Sequence, residues 1–218
     1  MKLGLFIIFF KIKRELEKIF VSSDDEVLDV GCGDRPFYSQ VVKGKITSFD
    51  TKNSEITDVV GDASRLLDYF PDKKFDKIIC VNALYQFSDP KEVIRQMYEL
   101  LAQGGKLILV LPFLYPLHDI PYDRYRFSRY GIETLLEGKF SIELLKPFGG
   151  VFNLPVLILH ALLKATSRYY KKIPVLSWVT ALLLYILYFG AQIVSLLDFF
   201  DKSERFTCLY LVEAKKSV

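Results

Sequence analysis

A short turn with two glycines is the feature of the sequence best suited to binding a ligand. The segment Val27–Pro36 follows the start of an apolar run and contains Gly31 and Gly33, which lack side chains and let the backbone approach a ligand closely. Asp50 ends the next apolar run, 19 residues after Gly31, where a carboxylate can accept hydrogen bonds from a ribose diol. The dinucleotide fingerprint would place a glycine where Pro36 stands, which argues against NAD.

A second group of reactive side chains lies in the proline- and aromatic-rich segment Leu111–Ser128. It contains His118, one of only 2 histidines, and an imidazole can take a proton from a hydroxyl near neutral pH. Asp119 or Asp123 can orient that imidazole through its other nitrogen. We therefore predict His118 and Asp119 as catalytic residues. The alternative is that both only cap a loop.

The same segment offers side chains that can hold the molecule acted upon. Tyr122 and Tyr125 can contact a substrate, and Arg126, like its neighbour Arg124, can pair with a phosphate or a carboxylate. We also assign Tyr85, which follows an earlier apolar run, to the substrate-binding residues. For Arg126 the alternative is a salt bridge that holds the loop in place.

The composition limits the classes of protein to be considered. The chain has 218 residues, 51% of them hydrophobic, which is enough for one folded domain with elaborations. A net charge of +3 without a basic stripe disfavours a nucleic-acid partner. Cys32, Cys80 and Cys208 are odd in number and form no Cys-x-x-Cys motif, so we predict neither a disulfide framework nor a metal site.

The elements that must position these residues alternate between short apolar runs and helical patterns from residue 26 to 146. This alternation predicts an α/β fold with a mainly parallel sheet, whose strand ends meet at one edge. Predicted strands are Val27–Val30, Ile46–Phe49, Thr57–Val60, Phe75–Val81, Lys106–Leu111, Ser141–Leu145 and, near the end of the chain, Thr207–Val212. Predicted helices are Pro36–Val42, Ser64–Tyr69, Pro90–Leu101 and Gly131–Glu137, with Gly104 and Gly105 ending the third.

Residues 1–25 are predicted to form an amphipathic helix. Apolar side chains recur at steps of three or four residues, and basic residues stand between them. The apolar set is Leu5, Phe9, Ile12, Leu16 and Ile19. Two interpretations remain open at this point, because such a helix can cap a core or lie on a membrane with Lys11, Lys13 and Arg14 toward the headgroups.

Residues 147–204 form a hydrophobic insertion. No charged residue occurs from Ile173 to Leu197, 25 positions that exceed the roughly 20 needed to span a bilayer. Val151–Leu163 is uncharged as well, and a strand of the same sheet follows the insertion. Both ends of the insertion therefore lie on one side of any membrane, which favours a helical hairpin dipping into one leaflet. A buried lid, a dimer interface and a true membrane span are the alternatives.

Four motifs taken together resemble the class I S-adenosylmethionine-dependent methyltransferases, of the type 11-like subgroup. They are Asp29–Gly33, Asp50, Gly61–Ala63 and Leu101–Leu107, and the resemblance covers residues 26–146 with the last strand at 206–214. It implies a doubly wound, Rossmann-like sheet of seven strands, mainly parallel, with an antiparallel last strand. The hydrophobic hairpin is inserted before that strand. The implied cofactor is S-adenosylmethionine.

The resemblance also assigns roles to cofactor-binding residues. The loop formed by Gly31, Cys32 and Gly33 would cradle the methionine part, and Asp29 would support its amino group through water. Asp50 would hold the ribose hydroxyls. The remaining assignments are Asp62 and the Ala63 backbone for the adenine, and Asn82 beside the methyl group that is transferred.

The sequence departs from this family pattern in two places. Arg35 stands where the third glycine of the loop is expected, and Leu84-Tyr85-Gln86 stands where many relatives carry Leu-Glu-His. The segment from Pro112 onward is similar to a prokaryotic subgroup with a Pro-Phe-Leu-Tyr-Pro-x-His loop, which often occurs with lipid or surface-polysaccharide functions.

These observations favour a methyltransferase for a hydrophobic or lipid-linked acceptor at the cytoplasmic face of the membrane, with peripheral or monotopic attachment. One alternative is a cofactor-binding but catalytically silent membrane partner. Another is a soluble small-molecule methyltransferase whose hairpin forms a homodimer interface. The predicted divisions are the helix at 1–25, the core at 26–146, the insertion at 147–204 and the final strand with its tail at 205–218.

Overall fold

A computed structural model describes residues 6–34, 36–167 and 174–217. Their centre is one seven-stranded sheet with the order β3-β2-β1-β4-β5-β7-β6. Only β7 runs antiparallel to its neighbours, β5 and β6. The strands are β1 Glu26–Val30, β2 Lys45–Asp50, β3 Val59–Val60, β4 Phe75–Val81, β5 Leu101–Pro112, β6 Phe140–Phe148 and β7 Leu209–Lys216. The predicted doubly wound α/β fold with an antiparallel last strand is confirmed.

Helices cover both faces of this sheet. They are α1 Phe6–Ile19, α2 Leu66–Tyr69, α3 Pro90–Leu100, α4 Arg129–Leu136, α5 Leu154–Ser167 and α6 Pro174–Val194. The start of α3 follows directly from its sequence, because the Asp89 side chain accepts hydrogen bonds from two first-turn amides and Pro90 has the backbone angle that a first turn requires. Ser128 caps α4 in the same way through the amide of Gly131.

Alternate residues of each central strand enter two separate hydrophobic cores. Leu107 and Leu109 of β5 pack with α3 and α4, whereas Ile108 and Val110 pack on the opposite face with α1, α5 and α6. Successive side chains of a strand point to opposite faces of the sheet, and this alternation separates the two cores. A sheet that is buried on both faces holds its strand ends rigidly, as a ligand site at those ends requires.

The amphipathic helix α1 caps the second core. Ile8, Ile12 and Leu16 are almost fully buried, and each such side chain contributes about 1.5–3 kcal/mol through its removal from water. Of the two interpretations of this helix, the structure therefore favours the core cap. Phe6 and Phe10 lie on its outer side and are exposed.

Two predicted elements differ in the structure. Pro36–Val42 is a series of turns and not a helix, although Tyr38, Val41 and Val42 are buried as a helical spacing would bury them. The third helix ends at Leu100, so Gly104 does not end it. Gly104 lies inside β5 with a φ of +73°, where the pairing with β4 changes register.

The hydrophobic insertion forms two helices, α5 and α6, that pack against each other before β7. The two helices pack on the second core through Val156, Leu157, Tyr188 and Ala191. Among the described residues, one helical segment, Leu182–Phe200, is long and apolar enough to cross a membrane by length and composition. Lys171 and Lys172, in the polar segment between these two helices, lie outside the described residues.

Candidate active site

The glycine loop leaves the end of β1 in a conformation that other residues rarely adopt. Gly31 has a φ of +77°, and a Cβ on it would lie 2.3 Å from the Cβ of Ala83. Gly33 has a φ of +66°, and a Cβ there would meet no atom of the described residues within 4 Å. The first glycine is therefore required by the protein's own packing, whereas the second borders open space that a ligand can occupy. Arg35, at the departure from the family pattern, lies outside the described residues.

Asp50 at the end of β2 is tied to that loop. One carboxylate oxygen accepts a hydrogen bond of 2.9 Å from the Gly33 amide, and the other accepts one of 2.9 Å from the amide of Lys52. The amides of Gly31 and Cys32 both point to the Phe49 carbonyl. These bonds hold the carboxylate at the loop, which is the place that the sequence predicted for a ribose contact.

Asp62 and Ala63 follow β3 at the same edge of the sheet. The Asp62 carboxylate accepts a hydrogen bond of 2.9 Å from the Ser64 amide and so begins a 3₁₀ turn that starts with the buried Ala63. The backbone of this turn is linked to the site through the amide of Gly61, which donates to the Asp50 carbonyl. The predicted adenine contacts thus adjoin the predicted ribose contact.

Asp29 is buried behind the glycine loop and has a partner that the sequence did not indicate. The Tyr38 hydroxyl donates to both of its carboxylate oxygens, at 2.9 and 3.1 Å. Burial raises the pKa of Asp29 to about 7, against the opposing effect of the Tyr38 hydrogen bond, and the nearby Asp50 raises it further. A carboxylate that titrates near neutrality therefore lies beneath the loop.

Asn82 supplies the clearest sign that the described residues suit a ligand. It follows β4 with a φ of +50°, and its buried side-chain oxygen has no hydrogen-bond partner among the described residues. A buried amide oxygen without a partner costs about 1–3 kcal/mol. Together with the open space at Gly33, this acceptor fits the polar end of a bound nucleoside-type ligand. Cys32 is buried, and burial raises the pKa of its thiol to about 11, so it remains neutral.

The segment Leu114–Phe127, hereafter the acceptor loop, lies over the residues that follow β4. The amides of Arg124 and Tyr125 both donate to the Tyr85 carbonyl, and the Phe127 amide donates to Pro112. Tyr85 itself is buried, with its ring 5.0 Å from that of His118. The same short segment after β4 thus has two contacts in the site. Ala83 contacts the glycine loop, and Tyr85 contacts His118.

His118 is held by acceptors on one side of its ring. Its Nδ1 lies 3.1 Å from the Pro116 carbonyl and 3.2 Å from Asp123, whose carboxylate also accepts the His118 amide at 2.9 Å. Because both neighbours of Nδ1 are acceptors, the neutral ring carries its proton there and leaves Nε2 with a lone pair. Of the two carboxylates that the sequence left open for orienting the imidazole, Asp123 is the one that lies beside Nδ1.

Asp119 lies beside the other nitrogen of the ring. Its carboxylate is 3.7 Å from His118 Nε2 and accepts hydrogen bonds from the Tyr85 hydroxyl at 2.7 Å and from Gln86 at 3.3 Å. Burial and the bond to Asp119 raise the pKa of Tyr85, so its hydroxyl stays a donor. Gln86 was not among the predicted site residues, because nothing in its spacing links it to a residue 33 positions later.

The other predicted substrate residues have different surroundings. Arg126 pairs with both oxygens of Asp123 and also contacts the Tyr115 carbonyl, which matches the loop-holding alternative. This pairing lowers the pKa of Asp123 to about 2. Tyr125 donates its hydroxyl to the Ser88 carbonyl, whereas Tyr122 is exposed beside the Arg124 guanidinium. Tyr122 is 56% exposed and Tyr125 is 38% exposed, so both side chains are open toward solvent.

The family described as a methyltransferase domain matches residues 8–136. This chain belongs to that family. The predicted class I, S-adenosylmethionine-dependent methyltransferase is thereby confirmed, and so is the predicted cofactor. The matched range includes α1 from Ile8 onward, every predicted cofactor residue and the acceptor loop with His118. The catalytic and binding role of each individual residue stays a prediction.

Solved methyltransferases share the fold of this methyltransferase. The N-methyltransferase NodS from Bradyrhizobium japonicum WM9, in complex with S-adenosylhomocysteine, is 15% identical with a TM-score of 0.53, over 96% of this chain and 87% of that one. Magnesium protoporphyrin IX methyltransferase ChlM from Synechocystis PCC 6803, with bound S-adenosylmethionine, is 14% identical with a TM-score of 0.53, over 96% and 78%. These identities establish the common fold.

A curated relative resembles a shorter part of the sequence. The ubiquinone/menaquinone biosynthesis C-methyltransferase UbiE from Pseudoalteromonas translucida (strain TAC 125) is 42% identical over 62 residues. That match covers 27% of this methyltransferase and 24% of the relative, so the chain spans about a quarter of the relative's length.

Proposed function

We propose that this methyltransferase transfers the methyl group of S-adenosylmethionine to a hydrophobic acceptor that carries a hydroxyl, with His118 as the general base. The observation that carries the proposal is the segment after β4, because Ala83 lies against the glycine loop and Tyr85 lies against His118. The predicted cofactor cradle and the basic nitrogen are thus neighbours of one rigid segment. When bound, S-adenosylmethionine supplies an electrophilic methyl on a sulfonium.

The chain's own residues would act by positioning and by moving one proton. Asp29, Asp50, Asp62, Ala63 and Asn82 hold the cosubstrate in the roles that the resemblance implies. His118 Nε2 takes the acceptor's hydroxyl proton while the acceptor oxygen bonds to the methyl carbon and the carbon–sulfur electron pair leaves with the sulfur. Asp119, 3.7 Å from Nε2, stabilises the imidazolium that results.

The exposed face of the hairpin supports a hydrophobic acceptor and a membrane location. Ile186, Phe189 and Ile193 are 60%, 69% and 65% exposed and form one stripe along α6. Monomeric soluble proteins rarely leave such a continuous apolar surface in water. We place this stripe in the cytoplasmic leaflet, with Lys11 and Arg14 of α1 available for anionic headgroups. Binding to vesicles of phosphatidylethanolamine and phosphatidylglycerol, weakened by Phe189→Glu, tests this placement against a homodimer that buries the same stripe.

The similarity to UbiE supports one particular kind of acceptor. The name of that protein gives its function as C-methylation in ubiquinone and menaquinone biosynthesis. Quinone precursors are hydroxylated and apolar. Removing the proton of an aromatic hydroxyl also makes the ring carbons nucleophilic, so His118 would serve carbon and oxygen methylation alike. A quinol-type acceptor is therefore the first to be tried.

The decisive experiment uses methyl-labelled S-adenosylmethionine with an organic and an aqueous extract of bacterial cells. We expect label in organic-soluble products and its loss in His118→Ala, while the affinity for S-adenosylhomocysteine stays unchanged. His160→Ala replaces the other histidine, which lies on α5 outside the acceptor loop, and is the matched control. Label only in aqueous products would overturn the hydrophobic acceptor. Binding of S-adenosylhomocysteine without any transfer, together with full biological activity of His118→Ala, would favour the silent partner instead.

A further inference from the structure

An apolar groove runs between the acceptor loop and α5. It has a volume of about 550 Å³, within the range of small-molecule sites. The loop contributes one wall and α5 the other, and among the described residues no formally charged side chain lines it. The lining residues on α5 are Leu154, Leu157, Ile158, Ala161 and Leu162, and those on the loop are Leu114, Tyr115 and Pro116.

The inner end of this groove adjoins the predicted base. The Tyr115 ring, which forms part of the wall, lies 4.7 Å from the His118 ring at a steep angle. The carbonyl of Pro116, another wall residue, is 3.1 Å from His118 Nδ1. Tyr115 and Pro116 therefore border both the groove and the imidazole, so that one side chain separates the groove from His118.

The outer end of the groove opens on the apolar surface of the hairpin. Ile158 is 59% exposed and Leu162 is 45% exposed, although both line the groove. From Leu154 to Leu162 the helix rises about 12 Å, the reach of an extended chain of roughly ten carbons. The groove thus lies between the exposed hairpin face and the acceptor loop, and its described lining residues carry no charge.

We propose that this groove binds the hydrocarbon tail of the acceptor and so places the acceptor's hydroxyl at His118. The inference rests on the proposed function and adds a binding site and a substrate class to it, a hydroxylated head with an unbranched or prenyl tail. An uncharged groove suits a tail with no polar group, since burial of each CH₂ contributes to binding. An acceptor lacking a tail would leave the groove to water.

The test compares 4-ethylphenol with 4-dodecylphenol, each as a monomeric solute, by calorimetry on the protein saturated with S-adenosylhomocysteine. Full burial of a CH₂ strengthens binding by about fourfold, so even partial burial of ten of them predicts a gain of at least about a hundredfold. We expect Ile158→Glu to weaken dodecylphenol binding at least about tenfold and to leave ethylphenol binding unchanged, because a charge in the groove must lose its water.

Ile186→Glu is the matched control. Ile186 is 60% exposed, against 59% for Ile158, but it lies on α6 and does not line the groove. Equal affinity for S-adenosylhomocysteine in both variants shows that each is folded, and Ile158→Ser replaces Ile158→Glu if that variant does not fold. Equal effects of the two glutamates, or no gain from the longer tail, would overturn the inference. So would a dimer that Ile158→Glu dissociates without changing phenol affinity.

These outcomes are separate from those of the proposed function. Tight binding that depends on the tail, without methyl transfer to any phenol, would support the groove as the site that binds the tail and would refute the proposed reaction. Methyl transfer to 4-ethylphenol with no preference for 4-dodecylphenol would support the proposed reaction and would refute the groove as the site that binds the tail.

Discussion

Removal of one hydroxyl, in Tyr38→Phe, should change the pH at which this protein binds its cosubstrate. Tyr38 and Asp29 are both almost fully buried, and the hydroxyl donates to both carboxylate oxygens. Burial already raises the pKa of Asp29 to about 7, with the Tyr38 bond opposing that rise. Without the hydroxyl nothing in that pair favours the charged carboxylate, so the pKa must rise further.

The size of this shift follows from the strength of a hydrogen bond to a charged group. Such a bond contributes about 1.5–3 kcal/mol, which at about 1.4 kcal/mol per unit raises the pKa of Asp29 by roughly one to two units. At pH 7.5 the charged fraction of Asp29 then falls from about three quarters to between a quarter and a few per cent. If the carboxylate supports the ammonium group of the ligand, affinity falls by about three- to twenty-five-fold at that pH.

The assay is calorimetric titration with S-adenosylhomocysteine from pH 6 to pH 9. Affinity should rise with pH as Asp29 loses its proton, and the midpoint should lie roughly one to two units higher in Tyr38→Phe than in the unchanged protein. Asp29→Asn reports the ligand's own titration, and Tyr130→Phe, at an exposed position of α4, is the control for loss of a hydroxyl. Coincident midpoints in Tyr38→Phe and the unchanged protein would refute the reasoning, as would a full pH dependence in Asp29→Asn.

Three further changes test the structure around the site. Gly31→Ala should lower the free energy of unfolding in urea by about 2–4 kcal/mol, through backbone strain and overpacking against Ala83. Gly33→Ala, with no described atom nearby, should lower it only by the backbone strain. Equal decreases in the two variants would contradict this. Arg126 lowers the pKa of Asp123 to about 2. About 2 kcal/mol of stability is therefore present above pH 4 and is lost as the pH falls toward 2. Asp123→Asn should remove that pH dependence from acid unfolding curves. Ile12→Ala should cost about 2–5 kcal/mol in the same urea assay, unless α1 leaves the core in solution.

Much of the fold was predictable because apolar periodicity reports burial directly. The strands Phe75–Val81 and Val27–Val30 agree with the structure to within one residue. Periodicity does not distinguish a helix from successive turns that bury the same positions, which is why the helix predicted for Pro36–Val42 was wrong. It also does not say what an amphipathic helix faces, and only the contacts of Ile8 and its neighbours assign α1 to the core.

The candidate site was predictable where it depends on the local chain and not where it depends on distant partners. The glycine loop, Asp50 and Asp62 follow strand ends, so the topology alone brings them to one edge. Tyr38 donates to Asp29 from within a segment whose turns were mistaken for a helix, and a buried tyrosine hydroxyl requires a partner without indicating which. Arg126 pairs with Asp123 in the structure, and its predicted role as a substrate ligand stays a prediction.

The residues after β4 explain how the acid and imidazole of many relatives can be absent from their usual place. Tyr85 and Gln86 stand where those relatives carry Glu and His, and both donate hydrogen bonds to Asp119. Asp119 in turn lies beside His118 Nε2, with the Tyr85 ring packed against the imidazole. An acid and an imidazole thus lie against the segment after β4, but the loop after β5 supplies them. In the proposed reaction that loop also forms one wall of the tail groove, so the residue that takes the proton and the wall that holds the tail belong to the same short segment of the chain.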